Sequence, residues 1–322
     1  MPSQTSRRKK FNMSNLIFAL RNPYSLFGQI TKFGVRANQV LHRNFVNHEG
    51  DDFLAESWDT LIILDGCRED LLSDDDLPGK IQKRKSPASQ SIEFMREHFD
   101  RELHDTVYVT ANPYAQSEIK DCFYATDFVF LDDWNEEFGT VLPETMRKRA
   151  EAAIEKFPNK RIIIHFMQPH FPFIGPTGKK IRQKGIELQN TNRDLQDVSD
   201  IDIWNRLQYR LAKTDLETVK KAYRENLEIT LDEINTLIEY DTGKTVVTSD
   251  HGNLLGERLW PIPVKSYGHP RNLYVNSLVE VPWVVFENGA RPTIQKEEPI
   301  EYTNQTPDGM AKNQLQDLGY AK

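Results

Sequence analysis

The sequence predicts an α/β fold: a mainly parallel central sheet with helices on both faces. Three observations predict it. From about residue 50, strand-like apolar runs alternate with helical segments. The runs "TLIILD", "RIIIHFMQPH" and "KTVVTSDHG" are nearly continuous in apolar residues, as strands covered on both faces are. Each also ends in polar chemistry, at Asp65, at His170 and at Asp250 with His251, and open α/β sheets bind ligands at the carboxyl ends of their strands.

Residues 1–50 show no strand pattern and read as a basic N-terminal extension. "SRRKK" precedes "NLIFALRNPYSLFG", where Arg21, Asn22 and Pro23 cut the apolar core too short for a signal peptide. Basic residues beside Leu16, Ile17, Phe18 and Leu20 suit a peripheral contact with a membrane surface. "TLIILD" is too short for a helix and reads as a strand ending at Asp65. "SIEFMREHF" has helical spacing, with Ser91 as N-cap and Ile92, Met95 and Phe99 on one face. "TVYVTAN" and the weaker "DFVFLDDW" read as strands. "PETMRKRAEAAIEKF" is a helix opened by Pro143. "RIIIHFMQPH" is a buried strand, and residues 175–200 form a polar insertion.

A long helix follows over "VKKAYRENLEITLDEINTLIEY", its apolar stripe made by Leu227, Leu231, Ile234 and Ile238, with Gly243 as its stop. "KTVVTSDHG" and "VEVPWVVF" are strands, and Pro282 marks the latter as an edge or a strand start. The predicted organisation is a catalytic domain over residues 51–290 and a polar tail over 291–322.

Composition narrows the function. The chain has 322 residues and a net charge of -7, which argues against nucleic acid as the partner. No apolar run approaches the roughly 20 residues of a spanning helix. Cys67 and Cys122 build no disulfide framework and fit a reducing compartment. The expectation is a cytoplasmic protein at the membrane periphery.

Asp65 follows four apolar residues, where a carboxylate is costly unless paired, hydrogen-bonded or bound to a metal. By itself it is equally a strand-end cap. Asp250-His251-Gly252 repeats the setting, and an adjacent Asp and His at a strand end both reach one cation because the chain turns there. Two carboxylates and a histidine make a mixed oxygen and nitrogen ligand set, suited to zinc or manganese.

These residues resemble the alkaline phosphatase superfamily, on its sulfatase-like side. The resemblance rests on the strand-end Asp65, a serine in "SPASQSIEF", the "SDHG" pair Asp250 and His251, "QPHFPF" with His170, and "SYGHPR" with His269. It runs over residues 58–286, and the order and spacing of the motifs carry it. It implies a divalent metal (zinc, manganese or calcium, at one site with a second left open) held by Asp65, Asp250, His251 and the nucleophile. It implies a serine alkoxide that attacks a phosphate or sulfate ester and forms a covalent intermediate. His170 and His269 then contact the anion, and His170 serves as a further catalytic candidate.

The nucleophile is Ser91 in first place and Ser89 in second, because the free N–H groups of a helix start support an anion. Cys67 lacks the "CxPSR" context of cysteine-dependent sulfatases and reads as a packing residue. Arg68 is either an anion contact or half of an ion pair with Glu69 or Asp70. Lys265 is a further substrate-contact candidate. His98 and His104 read as solvated, and His165 as a hydrogen-bonded core histidine. The substrate class is a sulfated or phosphorylated glycan, lipid or small molecule. Two alternatives stand beside hydrolysis: phosphoryl-group transfer to a glycan or lipid acceptor, and a catalytically degenerate module that binds anionic glycans.

Overall fold

The computed structural model describes residues 24–119, 121–181 and 202–302. Its strands, in chain order, are β1 (Thr60–Asp65), β2 (Gln82–Lys85), β3 (Leu103–Thr110), β4 (Phe123–Phe128), β5 (Arg161–Pro169), β6 (Gly243–Ser249), β7 (Leu254–Arg258), β8 (Lys265–Gly268) and β9 (Glu280–Asn288). The longer helices are α1 (Tyr24–Phe45), α2 (Ser91–His98), α3 (Pro143–Lys156) and α4 (Leu216–Tyr240). Seven strands form one sheet in the order β2-β9-β6-β1-β5-β3-β4. The run from β6 to β4 is parallel throughout, and β9 joins β6 antiparallel. β7 and β8 form a separate antiparallel hairpin.

Alternation along the strands divides the core. Ile62, Leu64, Val107, Val109, Ile162, Ile164 and Val247 point to one face, where Met146 and Ala150 of α3 and Leu227, Leu231 and Ile234 of α4 cover them. Leu61, Ile63, Tyr108, Ile163 and Val246 point to the other, against Phe94 and Met95 of α2 together with Phe53 and Trp58. Each large apolar side chain so buried contributes about 1.5–3 kcal/mol. All six residues of β1 are buried because both neighbouring strands and both layers cover it.

The sequence pattern and the structure part at a few elements. "DFVFLDDW" is not one strand: β4 ends at Phe128, and Val129–Asp132 is a single helical turn. Val129 and Phe130 are both buried, which a helical turn permits and an alternating strand does not. In α2 the N-cap is Gln90 rather than Ser91, and the buried face is Phe94, Met95 and His98. His98 is not solvated. It packs among Phe53 and Phe94, and burial pushes its pKa down to about 4. α4 stops at Tyr240, and Gly243 opens β6 with φ 99°. Pro282 is the third residue of β9, near the strand start, and β9 is an inner strand.

The described part of the N-terminal region is α1, which packs through Val35 on Leu254, Leu259 and Leu273 beside the hairpin. Asn38 exchanges two hydrogen bonds with the backbone of Ile262, at 2.8 and 3.0 Å. Leu16, Ile17, Phe18 and Leu20 lie outside the described residues, as does the predicted insertion from residue 182 on. The tail is described to residue 302. There Glu297 and Ile300 donate backbone N–H groups to His104 and Tyr124. No helix among the described residues is long and apolar enough to cross a membrane.

Candidate metal centre and active site

β1 lies between β5 and β6, so their carboxyl ends converge on one point. Asp65 ends β1, Asp250 and His251 follow directly after β6, and His170 directly after β5. Ser91, the first residue of α2, reaches the same point from the face that α2 covers.

Backbone groups fix the orientation of these side chains. Gly66, at φ 65°, turns the chain so that its N–H donates to Asp250 Oδ1 at 2.9 Å. The N–H of His251 donates to the same oxygen at 2.8 Å. Asp250 Oδ2 is left buried without a hydrogen-bond partner. His251 Nδ1 lies 2.7 Å from the carbonyl of Gly252, so Nδ1 carries the proton and Nε2 presents a lone pair. That lone pair faces Ser91 Oγ at 3.3 Å, Asp250 Oδ2 at 3.5 Å and Asp65 Oδ1 at 3.7 Å. Ser91 Oγ lies 3.1 Å from Asp65 Oδ2.

This donor set fits a divalent cation. Ligands at about 2.0–2.1 Å from a tetrahedral zinc stand about 3.3 Å from one another, and the distances of 3.1–3.7 Å from Ser91 Oγ and His251 Nε2 to their neighbours are close to that spacing. A nitrogen lone pair aimed at two buried carboxylates is repulsive unless a positive charge sits between them. Burial, with the charge of Asp250 added, pushes Asp65 well above the usual carboxylate range. Burial opposes ionisation of Asp250 as well, but His251 and His165 hold it below that range. Asp65, His165 and Asp250 also offer ligand atoms that all lie within 4.8 Å of one another.

His170 and His269 face each other over the cluster, with their Nε2 atoms 2.8 Å apart. His170 Nδ1 donates to the carbonyl of Phe171 at 2.7 Å, so its Nε2 accepts and the Nε2–H of His269 donates. Burial, then the neighbouring His251, pushes His170 down to about 4 and His269 well below the ordinary histidine range. The ring of His269 also stacks on His251 at 4.7 Å. The structure thus brings Asp65, Ser91, Asp250, His251, His170 and His269 together.

The other serines have different partners. Ser89 Oγ donates to Glu93 Oε2 at 2.8 Å and lies 3.1 Å from the carbonyl of Pro270. Glu93 Oε1 accepts from the N–H of Asn272 at 2.8 Å, so this carboxylate ties the serine loop to the loop after His269. Ser86 donates to the backbone carbonyl of Asp250.

Arg68 takes the ion-pair alternative and not the anion contact. Its guanidinium forks onto Asp70 with two bonds of 2.6 Å, and its Nη1 reaches Glu257 at 2.5 Å and the Asn253 carbonyl at 2.8 Å. Lys265 is exposed at the far end of β8, opposite Arg258. It stands four residues from His269, about 13 Å along an extended chain. Cys67 is buried in the apolar core, where burial pushes its thiol up, in keeping with a packing role.

Two further residues, Asn112 and His165, border the cluster. Asn112, just after β3, donates to Asp65 Oδ2 at 2.9 Å and steadies the carboxylate. Its signal was available, since "TVYVTAN" is a fourth strand ending in a polar residue. His165 is a hydrogen-bonded core histidine as expected, with Tyr108 Oη 2.8 Å from its Nδ1. Its Nε2, however, points toward Asp250 Oδ2 at 3.7 Å and has no hydrogen-bond partner. The signal for this is strand parity: His165 and Ile163 share the α2 face, the side on which Ser91 approaches.

Among solved structures the chain is similar to the integral membrane lipooligosaccharide phosphoethanolamine transferase A from Neisseria meningitidis, at 14% identity and TM-score 0.45, covering 73% of this chain. The chain spans 48% of the length of that transferase. It is also similar to the periplasmic domain of EptC from Escherichia coli in complex with Zn, at 12% identity and TM-score 0.43, covering 74% of this chain and 76% of that one. A third similar structure is a putative sulfatase from Bacteroides thetaiotaomicron, at 12% identity and TM-score 0.41, covering 83% and 72%. No protein-family model and no curated protein matches the sequence.

Proposed function

We propose that the protein is a metal-dependent enzyme that moves the phosphoryl or sulfuryl group of an ester, first onto Ser91 and then onto water or a second acceptor. The observation that carries this reading is the placement of Ser91 Oγ. It lies 3.1 Å from Asp65 Oδ2 and 3.3 Å from His251 Nε2, at the first residue of a helix.

Asp65, Asp250, His251 and Ser91 would hold the cation, with zinc the best match to the mixed donors and manganese or calcium as alternatives. A divalent ion there supplies Lewis acidity: it lowers the pKa of the serine hydroxyl and offsets charge on the ester oxygens. The rest is done by the chain. Asn112 holds the Asp65 carboxylate, and the Gly66 and His251 N–H groups hold that of Asp250. The unpaired N–H groups of the first turn of α2 face an anion at Ser91. Ser91 gives up its hydroxyl proton to solvent water, and its Oγ forms a bond to phosphorus or sulfur while the bond to the leaving oxygen breaks. The His269 Nε2–H, now given to His170, is placed to donate a hydrogen bond to an ester oxygen, and the leaving oxygen takes its proton from water. Water then cleaves the Ser91 ester, or an acceptor hydroxyl takes the group.

Transfer stands beside hydrolysis because the two share this first half. The test is turnover of 4-nitrophenyl phosphate and 4-nitrophenyl sulfate by the zinc-loaded protein. Ser91→Ala abolishes turnover and Ser89→Ala retains most of it. Full turnover by Ser91→Ala contradicts the proposal.

A further inference from the structure

The outer face of α1 is apolar. A helix lying on a protein surface ordinarily shows polar residues to water. In α1 two interleaved helical series run side by side. Val35, Asn38 and His42 are buried against the hairpin and its flanks. Ile30, Phe33, Ala37 and Val40 follow the opposite side, and Ile30, Phe33 and Val40 are 70%, 74% and 58% exposed. Phe45 at the end of α1 and Trp260 in the hairpin loop, on the His42 side of the helix, are exposed as well, at 81% and 78%. Trp260 is held there by its carbonyl, which accepts from His42 Nε2 at 3.0 Å.

Charge is segregated in the same way. Residues 1–48 contain eight Lys and Arg and no Asp or Glu, in a chain whose net charge is -7. Arg36 and Arg43 are exposed beside the apolar stripe, one helical position round from it. A second copy of this chain would set like charges against each other across such a face. A bilayer with anionic headgroups offers what both parts of the face need: acyl chains for the apolar side chains and negative charge for the arginines. An exposed tryptophan at the rim suits the headgroup layer.

We infer that the outer face of α1, with Trp260, docks the protein on an anionic lipid bilayer. The docking surface is distinct from the metal-site residues and goes beyond the proposed reaction. It also adjoins the hairpin that leads to His269.

The test uses the full chain with vesicles of phosphatidylcholine alone and of phosphatidylcholine with phosphatidylserine. The protein sediments with the anionic vesicles and not with the neutral ones. The paired substitutions Phe33→Ser with Val40→Ser, and Arg36→Gln with Arg43→Gln, each lower the bound fraction about tenfold at unchanged thermal melting. Trp58, Trp204 and Trp283 are buried, Trp134 is partly buried and Trp260 is 78% exposed, so the part of a fluorescence blue shift on vesicle addition that is lost in Trp260→Phe reports on Trp260. Three results would overturn the inference. These are no sedimentation with anionic vesicles, undiminished binding by both paired variants, and a concentration-dependent dimer that Phe33→Ser with Val40→Ser abolishes.

Discussion

His165 Nε2 and Asp250 Oδ2 lie 3.7 Å apart, both buried and both without a hydrogen-bond partner. The other nitrogen of His165 is taken by the Tyr108 hydroxyl, and the other oxygen of Asp250 by two backbone N–H groups. His165 is therefore placed to aim the one free oxygen of Asp250. Removing a partner that orients a metal ligand typically costs 10–100-fold in affinity. His165→Ala is expected to weaken zinc binding by that factor, measured by competition with a chromophoric chelator. Excess zinc is expected to restore much of the activity. Unchanged zinc affinity would leave His165 as a packing residue.

Asp250 gives a larger effect. Asp250→Ala removes a ligand and the acceptor of the Gly66 and His251 N–H groups. The expected outcome is loss of activity together with loss of co-purifying metal, read by elemental analysis. Full activity with full metal content would contradict the assignment of the centre.

Arg68 separates anion binding from structure. Its donors go to Asp70, Glu257 and the Asn253 carbonyl, and hydrogen bonds to charged groups are worth about 1.5–3 kcal/mol. Asp70 and Glu257 are partly exposed, which lowers the figure to about 1–2 kcal/mol. Arg68→Met is expected to lower stability to urea by that amount and to leave KM for an aryl phosphate within about twofold. A large rise in KM with unchanged stability would restore the anion contact.

His98 predicts an acid response away from the metal site. Its pKa falls from 6.5 to about 4 on burial. Below the unfolded value the unfolded chain takes up a proton that the folded protein refuses. Stability is therefore lost as pH falls from about 6.5 toward 4, by up to about 3 kcal/mol for this group. Urea denaturation at pH 7, 6 and 5 checks this, and the loss is expected to be smaller in His98→Phe, which suits the surrounding aromatic cluster.

Much of this architecture was legible because local and global signals agree. β1 and α3 begin where the pattern places them, the first as an apolar run closed by Asp65 and the second at Pro143. The candidate ligands Asp65, Asp250 and His251 were legible through their repeated strand-end setting. Other features depend on tertiary context. His98 has no local mark of burial, which comes from Phe53 and Phe94 packing on it. The N-terminal extension reads as only partly helical, and the full extent of the helix at 24–45 was not legible because apolar residues occupy two of its sides and blur the period of one face. Ser91 and Ser89 are two residues apart, and only the orientation of α2 separates them: one hydroxyl turns to Asp65 and the other to Glu93.

The central claim is that Ser91 accepts the transferred group. The most direct measurement incubates the zinc-loaded protein briefly with 4-nitrophenyl phosphate, quenches it in acid and maps the modified peptide by mass spectrometry. A phosphoryl group on Ser91, absent from protein stripped of metal, is the predicted result. A phosphoryl group on Ser89, or turnover that leaves Ser91 unmodified at every quench time, would contradict it.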